Sequence, residues 1–334
     1  MDAKITKTRL SRMLSYDWLK IVGFSVAAII VWTLVFTMTA TRITPAQQFT
    51  VLNYAGNLSL SNKFFDSYSK TIENGVFSYE VIETNNNDLT ASKEYLNTVL
   101  EARFTTDEGD VLYVSLENDP DSAYKDENDE TQYNSYYQSF LNRWFHYVHR
   151  LDGENGYFAQ MENYLNIYYT NGYADAESLD TAKVEADFRA RIKENKDKRF
   201  KKESQIEKGV QDEIARIEKY RNALINFNLY LDAGYVQLTK GSVTYKLDSG
   251  EKTYTGMYAI NLCPNVETMG GLQEYVSYYS SYVDENGATQ YKTTAENMQI
   301  VILDLAGVDP DFKYESLLYI NSVVESYCTE LNKQ

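Results

Sequence analysis

Residues 21 to 40, IVGFSVAAIIVWTLVFTMTA, decide where the rest of the chain is placed. This stretch, Ile21 to Ala40, has twenty residues without a charge. A helix of that length crosses a hydrocarbon layer of about 30 Å. Five Lys or Arg residues precede it, whereas Arg42 is the only one between it and Lys63. Because basic residues stay on the cytoplasmic side, the asymmetry predicts a single-pass cell-membrane protein with its N-terminus in the cytoplasm and its bulk extracellular.

A cleaved secretory signal is the alternative explanation for this stretch. The apolar core of such a signal has about 7–15 residues and ends at a small-x-small site. Thr44-Pro45-Ala46 offers such a site. The apolar stretch is longer than a signal core, so its length favours a retained transmembrane helix.

The composition limits what the chain after the apolar stretch can be. The chain has 334 residues and a formal net charge of -16, and the segment before the helix is basic. The remainder is long enough for one large domain, or for a domain with an insertion. An acidic exterior argues against nucleic acid as a partner. The 30 tyrosines fit either core packing or stacking on sugars.

Cysteine and histidine are scarce. Cys263 and Cys328 are the only cysteines, and they either form a disulfide or remain as free thiols. Two cysteines and two histidines are too few for a tetrahedral zinc site unless all four converge or carboxylates contribute. We therefore expect no metal and no cofactor.

Residues 48 to 116 alternate between strand and helix patterns. β-branched and aromatic runs predict strands, and apolar residues at intervals of three and four predict helices. Such an alternation implies parallel strands joined by right-handed crossovers. The predicted order is strand Gln48–Tyr54, helix Ser59–Glu73, strand Val76–Ile82, a polar loop Asn85–Asp88, a helix around Tyr95–Leu100, and strand Asp110–Leu116.

Five segments carry a resemblance to a known family. They are FTVLNYAGN (49–57), FSYEVIE (77–83), EGDVLYVS (108–115), LDAGYVQLTKGSVTYKLDSGEKTYTGMYAINL (231–262) and the late run IVILDLAGVDPDFKYESLLYINSVVES (300–326). In this order they resemble the first lobe of the extracellular solute-binding proteins that serve carbohydrate ABC importers. The resemblance implies a periplasmic-binding-protein-like α/β lobe, a carbohydrate ligand and an importer as membrane-protein partner.

A long helical segment interrupts this pattern. Residues 133–151 and 157–169 are aromatic and helical in spacing, and an amphipathic pattern runs from Ala176 to about Leu231. It lapses at residues 193–204, KENKDKRFKKES, where we expect a break. The simplest account is a helical arm that projects from the lobe. The predicted organisation is tail 1–20, transmembrane helix 21–41, first part of the lobe 42–119, helical insertion 120–230 and second part of the lobe 231–334.

Open α/β sheets bind ligands beyond the carboxyl ends of their strands. An aromatic face beside amides suits a carbohydrate, because the ring stacks on C–H surface and amides pair with hydroxyls. The alternative is that strand ends merely need polar turn formers. The candidate ligand-binding residues at these ends are Tyr54, Asn57, Asn85, Asn86, Glu117 and Asn118.

Other constellations favour structural roles. His146 and His149 stand three apart on a predicted helix, either as two metal ligands or as a helix surface. The acidic run Asp119–Glu130 lacks the spacing of a calcium loop, which favours a solvated loop. The sequence has no G-x-S-x-G, Walker or H-E-x-x-H motif, so we expect no catalytic activity.

Together these patterns predict a membrane-anchored, extracytoplasmic, non-catalytic binding or accessory protein, associated with a carbohydrate importer or another surface complex. The alternative is a sugar sensor or receptor, in which the aromatic helices of the insertion supply the second wall of the strand-end cleft.

Overall fold

The fold was established from a computed structural model. It describes residues 7–39, 48–56, 58–61, 75–78, 83–88, 95–247, 250–262, 277–284, 286–295, 298–305 and 313–327. Cys263 and Cys328 lie outside these residues, so the disulfide and the two free thiols both stay predictions. The chain divides into two units, Met1–Thr44 and Pro45–Gln334.

The first unit contains helix α1, Lys7–Thr39. Within it Trp18–Thr37 forms a stretch of 20 residues with a mean hydropathy of 2.2, and none of it is buried against protein. The hydroxyl groups of Thr33 and Thr37 donate to the carbonyl oxygens of Ile29 and Leu34 on the same helix. Every polar group must find such a partner in a bilayer. The predicted apolar helix is confirmed as one that is long and apolar enough to cross a membrane.

The second unit is a mixed α/β domain. Its helices are α2 Leu96–Thr105, α3 Tyr136–Trp144, α4 Tyr157–Tyr168, α5 Thr181–Glu194, α6 Glu203–Asp232 and α7 Glu315–Tyr327. Its strands are β1 Gln48–Tyr54, β2 Leu58–Ser61, β3 Glu83–Asp88, β4 Val111–Ser115, β5 Asn118–Lys125, β6 Thr131–Ser135, β7 Gln237–Leu247, β8 Gly250–Asn261, β9 Ser277–Val283, β10 Thr289–Thr293 and β11 Met298–Ile302.

The main sheet has six strands in the order β3-β1-β4-β11-β8-β7. Strand β1 pairs in parallel with both β3 and β4, as the alternating pattern predicted. Strands β11, β8 and β7 then pair antiparallel, which makes the sheet mixed. Smaller sheets β10-β9-β2 and β5-β6 lie beyond it.

Both faces of the main sheet are covered. On β4, Val111 and Tyr113 join one hydrophobic core, whereas Leu112 and Val114 join the other. This alternation follows from the two-residue period of a strand. Helices α4, α6 and α7 supply the first core, and α2 and α3 supply the second. The domain is therefore a three-layer arrangement of helix, sheet and helix.

Most of the helical insertion packs into the lobe instead of projecting from it. Helix α6 has 30 residues. Five of its side chains, Ile217, Tyr220, Ala223, Leu224 and Phe227, are buried in the first core. The predicted break is present, because α5 ends at Glu194 and α6 begins at Glu203. The boundaries of the insertion as a unit of its own stay a prediction.

Predicted elements between Ser59 and Asp88 differ from the structure. The second parallel strand is Glu83–Asp88, whereas Phe77 and Ser78 lie in no strand and residues 79–82 lie outside the described part. Residues 58–61 form β2 and pair with β9, although the predicted helix Ser59–Glu73 begins there. The rest of that predicted helix, residues 62–73, lies outside the described part and stays a prediction. Strand β3 lies at the edge of the sheet, where a strand has a single partner. Such a position accepts polar residues that strand propensities would assign to a loop.

The segment before α3 also differs from prediction. The acidic run predicted as a loop forms most of the hairpin β5–β6, and the predicted helix at 133–151 begins only at Tyr136. Ser135 caps it by accepting the N–H of Gln138 at 3.1 Å. A 3-10 turn, Phe145–Tyr147, follows it. Residues 131–135 therefore belong to the hairpin and not to the helix. The sequence predicted a helix at 133–135 because a local aromatic pattern does not reveal a cross-strand partner.

The α5–α6 turn generates a prediction in which two effects oppose each other. Gly209 lies inside α6, where alanine would ordinarily stabilise the helix by about 1 kcal/mol. However, a Cβ there would lie 2.5 Å from Phe188 Cζ and 2.7 Å from Phe200 Cε1. Since Phe188 is buried, we expect Gly209→Ala to lower the free energy of unfolding by about 1–3 kcal/mol.

Chemical denaturation of the full chain in detergent measures this effect. Gln211→Ala, an exposed position on the same helix, is the control and should be neutral or slightly stabilising. A gain in stability for Gly209→Ala would contradict the packing of Phe188 and Phe200 on this helix.

Candidate functional site

The structure describes five of the six predicted site residues and places them in two groups. Tyr54 ends β1, and Glu117 and Asn118 follow the end of β4, so these three do lie at the carboxyl edge of the parallel strands. Asn85 and Asn86 lie within β3, opposite Thr50 and Val51. They are therefore several positions away from the end of β1. Asn57 lies outside the described residues.

A cleft of about 340 Å³ opens at this edge; we call it the strand-end cleft. The end of β1 forms its floor, and α2, α3 and the hairpin β5–β6 form its walls. Its lining comprises Tyr54, Gly56, Leu96, Asn97, Asp119, Asp121, Ser122, Asn134, Tyr136, Ser139, Asn142, Arg143 and Trp144. Helix α3 of the insertion thus provides the second wall.

The floor is held by hydroxyl contacts between the end of β1 and the neighbouring strands. Thr294 donates its hydroxyl to the carbonyl oxygen of Ala55, and Ser115 Oγ donates to the carbonyl oxygen of Thr294 at 2.7 Å. At Gly56 a Cβ would lie 2.6 Å from the carbonyl oxygen of Tyr279. Only glycine allows this approach, which brings β9 against the end of β1.

Aromatic rings line the base of the strand-end cleft. Tyr54 packs edge-to-face on Tyr136 and on Trp144, with ring centroids 5.9 and 6.2 Å apart. All three side chains are buried. Burial raises the pKa of the Tyr54 hydroxyl, and the carboxylates of Asp119 and Asp121 raise it further. The phenol is therefore neutral at physiological pH.

Polar groups form the rim of this cleft. Asp119 is buried, and its Oδ1 accepts the N–H of Asp121 at 3.1 Å. Arg143 lies over the Trp144 ring at 5.2 Å. Asn142 is exposed, and its Oδ1 accepts the amide of Gln138 at 2.7 Å. The rim thus presents carboxylate, amide and guanidinium groups above an aromatic base.

A second cleft of about 640 Å³ lies between the hairpins β5–β6 and β9–β10; we call it the hairpin cleft. Glu117 is largely buried there and pairs with Lys292, with Oε2 2.5 Å from Nζ. Its lining comprises Glu117, Asn118, Pro120, Asp121, Tyr133, Ser280, Ser281, Tyr282, Val283, Thr289 and Lys292. Asp121 lines both clefts.

Comparisons of the chain with protein-family models, curated proteins and solved structures found no match. The resemblance to solute-binding proteins therefore stays a prediction. Function has to be inferred from the two clefts themselves.

Sequence reasoning pointed to the edge of the sheet at which the strand-end cleft lies but missed most of the residues that line this cleft. Asp119, Asp121 and Asn134 come from the hairpin, and Asn142 and Arg143 from α3. The available signal was a polar face on α3 opposite its buried aromatic face. What the sequence does not show is that this helix returns to the strand ends.

The residues that the sequence suggested as metal ligands make hydrogen bonds and ring contacts that support the fold. Within the described residues there is no group of three or more His, Cys, Asp or Glu that could hold a metal ion. Asp126 stabilises the β5–β6 turn by accepting the N–H groups of Asn128 and Glu130 at 2.9 Å. His146 is exposed and stacks on Tyr245, whereas His149 is buried against Tyr157.

Burial of His149 generates a prediction about pH. Burial lowers the pKa of this imidazole from 6.5 to about 4, although Asp304, with Oδ1 3.4 Å from Nε2, opposes the shift. The unfolded chain therefore binds this proton more tightly than the folded chain. The neutral imidazole therefore makes its full contribution to the free energy of unfolding above pH 6.5. As pH falls towards 4, the free energy of unfolding decreases by up to about 3 kcal/mol.

His149→Phe removes the titrating group. The free energy of unfolding of the wild type, relative to that of the variant, should therefore fall by about 3 kcal/mol from pH 7 to pH 4. Urea denaturation at each pH measures it. Parallel profiles for wild type and His149→Phe would contradict a neutral buried imidazole.

Proposed function

We propose that this chain is a membrane-anchored, extracytoplasmic, non-catalytic binding protein whose strand-end cleft binds a carbohydrate. The observation that carries the proposal is the lining of that cleft. It combines an aromatic base with amide, carboxylate and guanidinium groups at the carboxyl edge of parallel strands. The fold we propose for the domain is a periplasmic-binding-protein-like lobe.

The chemistry of the lining favours a carbohydrate over an apolar ligand. A sugar presents hydroxyl groups that donate and accept around its rim, and C–H surface on its faces. Asp119 and Asp121 accept hydrogen bonds, Arg143 donates, and Asn97 and Asn142 do both. The volume lies at the small end of the range for ligand pockets, which suits one or two sugar rings.

The position of α3 favours a receptor that binds a sugar itself over a protein that serves solely as an accessory to an importer. A single lobe offers only one wall to a ligand, but here α3 of the insertion provides the second one. The domain therefore has a complete cleft of its own. Association with a carbohydrate importer stays a prediction from the sequence resemblance.

The charge pattern around α1 supports the proposed location. Five Lys or Arg residues precede the apolar stretch and one follows it closely. We propose a cytoplasmic N-terminus and an extracellular domain on this basis.

Carbohydrate binding can be tested with the intrinsic fluorescence of the protein. Trp144 lines the cleft, and the other two tryptophans, Trp18 and Trp32, lie in α1. We expect at least one sugar in a panel of glucose, galactose, mannose, N-acetylglucosamine and their oligomers to change this fluorescence saturably. At a hundredfold excess over its Kd, the same sugar should raise the melting temperature of the full chain in detergent by about 5–10 °C.

The site is assigned by two asparagine variants. Asn142→Ala removes one ligand hydrogen bond from an exposed position, so affinity should fall by up to about tenfold with little change in stability. Asn163→Ala, an exposed asparagine on α4, is the matched control and should bind as wild type does. A panel without any response would contradict the proposed function.

A further inference from the structure

The two clefts are neighbours with a common wall. The hydroxyl of Tyr136, which lines the strand-end cleft, hydrogen-bonds to Ser280 Oγ of the hairpin cleft at 3.1 Å. Asp121 lines both clefts. Asp121 lies on β5 and is exposed. Because it lines both clefts, its carboxylate lies where the two clefts adjoin.

The two clefts differ in how they present aromatic rings. In the strand-end cleft Tyr54, Tyr136 and Trp144 are at most 6% exposed, which leaves little ring surface for a ligand. In the hairpin cleft Tyr133 is 42% and Tyr282 is 46% exposed. Open tyrosine faces are platforms on which a sugar ring can stack, and they need no rearrangement to do so.

The polar groups of the hairpin cleft are also suited to a neutral ligand. Lys292 and Glu117 pair with each other, so neither charge calls for a charged ligand. Asn118, Ser281 and Thr289 add amide and hydroxyl groups to the lining. The same chemistry that supports a sugar in the strand-end cleft therefore continues into a space of larger volume.

We propose that the ligand is an oligosaccharide, which places one sugar ring in the strand-end cleft and its next rings in the hairpin cleft. The chain of rings passes Asp121, and Tyr282 and Tyr133 stack on the outer rings. This inference rests on the proposed function and specifies its ligand class.

Affinity as a function of chain length tests the inference. The full chain in detergent is titrated with glucose, maltose and maltotriose, and in parallel with N-acetylglucosamine, chitobiose and chitotriose, by Trp144 fluorescence and calorimetry. In the series that binds, affinity should rise at least tenfold from the monosaccharide to the trisaccharide. Equal affinities along the series would overturn the oligosaccharide proposal and leave a monosaccharide receptor.

Two tyrosine variants identify where the outer rings bind. Tyr282→Ala should weaken trisaccharide binding by about fivefold or more and leave monosaccharide binding unchanged. Tyr124→Ala is the control, because Tyr124 is 49% exposed on the same hairpin as Tyr133 and lies outside both linings. Unchanged trisaccharide binding in Tyr282→Ala would overturn the outer subsite. Absence of binding by every sugar would overturn the proposed function as well.

Discussion

Burial of the main sheet on both faces is the constraint on which the rest of the domain depends. All five residues of β4 are buried, and alternate residues serve opposite cores. A strand in this position needs a helical layer on each side, because neither face can be left to water. Helices from the insertion are part of both layers, α3 on one side and α4 and α6 on the other. The insertion is thus a structural requirement of the sheet, which explains why it packs into the domain.

The layer of α4, α6 and α7 also contains buried charge. Glu213 and Arg216 of α6 form a buried ion pair, and Arg191 of α5 approaches Glu213 at 3.0 Å. Glu315 of α7 accepts hydrogen bonds from Tyr220 and from Ser78, although burial raises the pKa of its carboxyl. A charge buried without partners would cost several kcal/mol. The Tyr220–Glu315 contact therefore fixes how α6 and α7 face each other, and the Arg191–Glu213 contact fixes how α5 and α6 do, more than either adds to stability.

Patterns that depend on neighbouring residues were predictable from the sequence. They include the apolar helix α1, strands β1 and β4, helix α2 and the break between α5 and α6. Elements that depend on a distant partner were not. Residues 58–61 become a strand because β9 pairs with them, and Glu83–Asp88 become one because β1 does. Local spacing carries no information about either partner, which is why one was predicted as helix and the other partly as loop.

The same reasoning explains how much of the candidate site could be found in advance. The chemistry of parallel sheets points to the ends of β1 and β4, and Tyr54, Glu117 and Asn118 do lie there. The remaining wall follows from chain continuity. After β4 the chain leaves the sheet at this edge, turns through the hairpin β5–β6 and enters α3, which must return over the second face to cover it. Asp119, Asp121 and Asn142 are therefore carried to the strand ends by the same path that buries Phe140 and Trp144. In this domain the cleft is a consequence of covering the sheet, and its polar lining occupies the side of that covering segment which the core does not use.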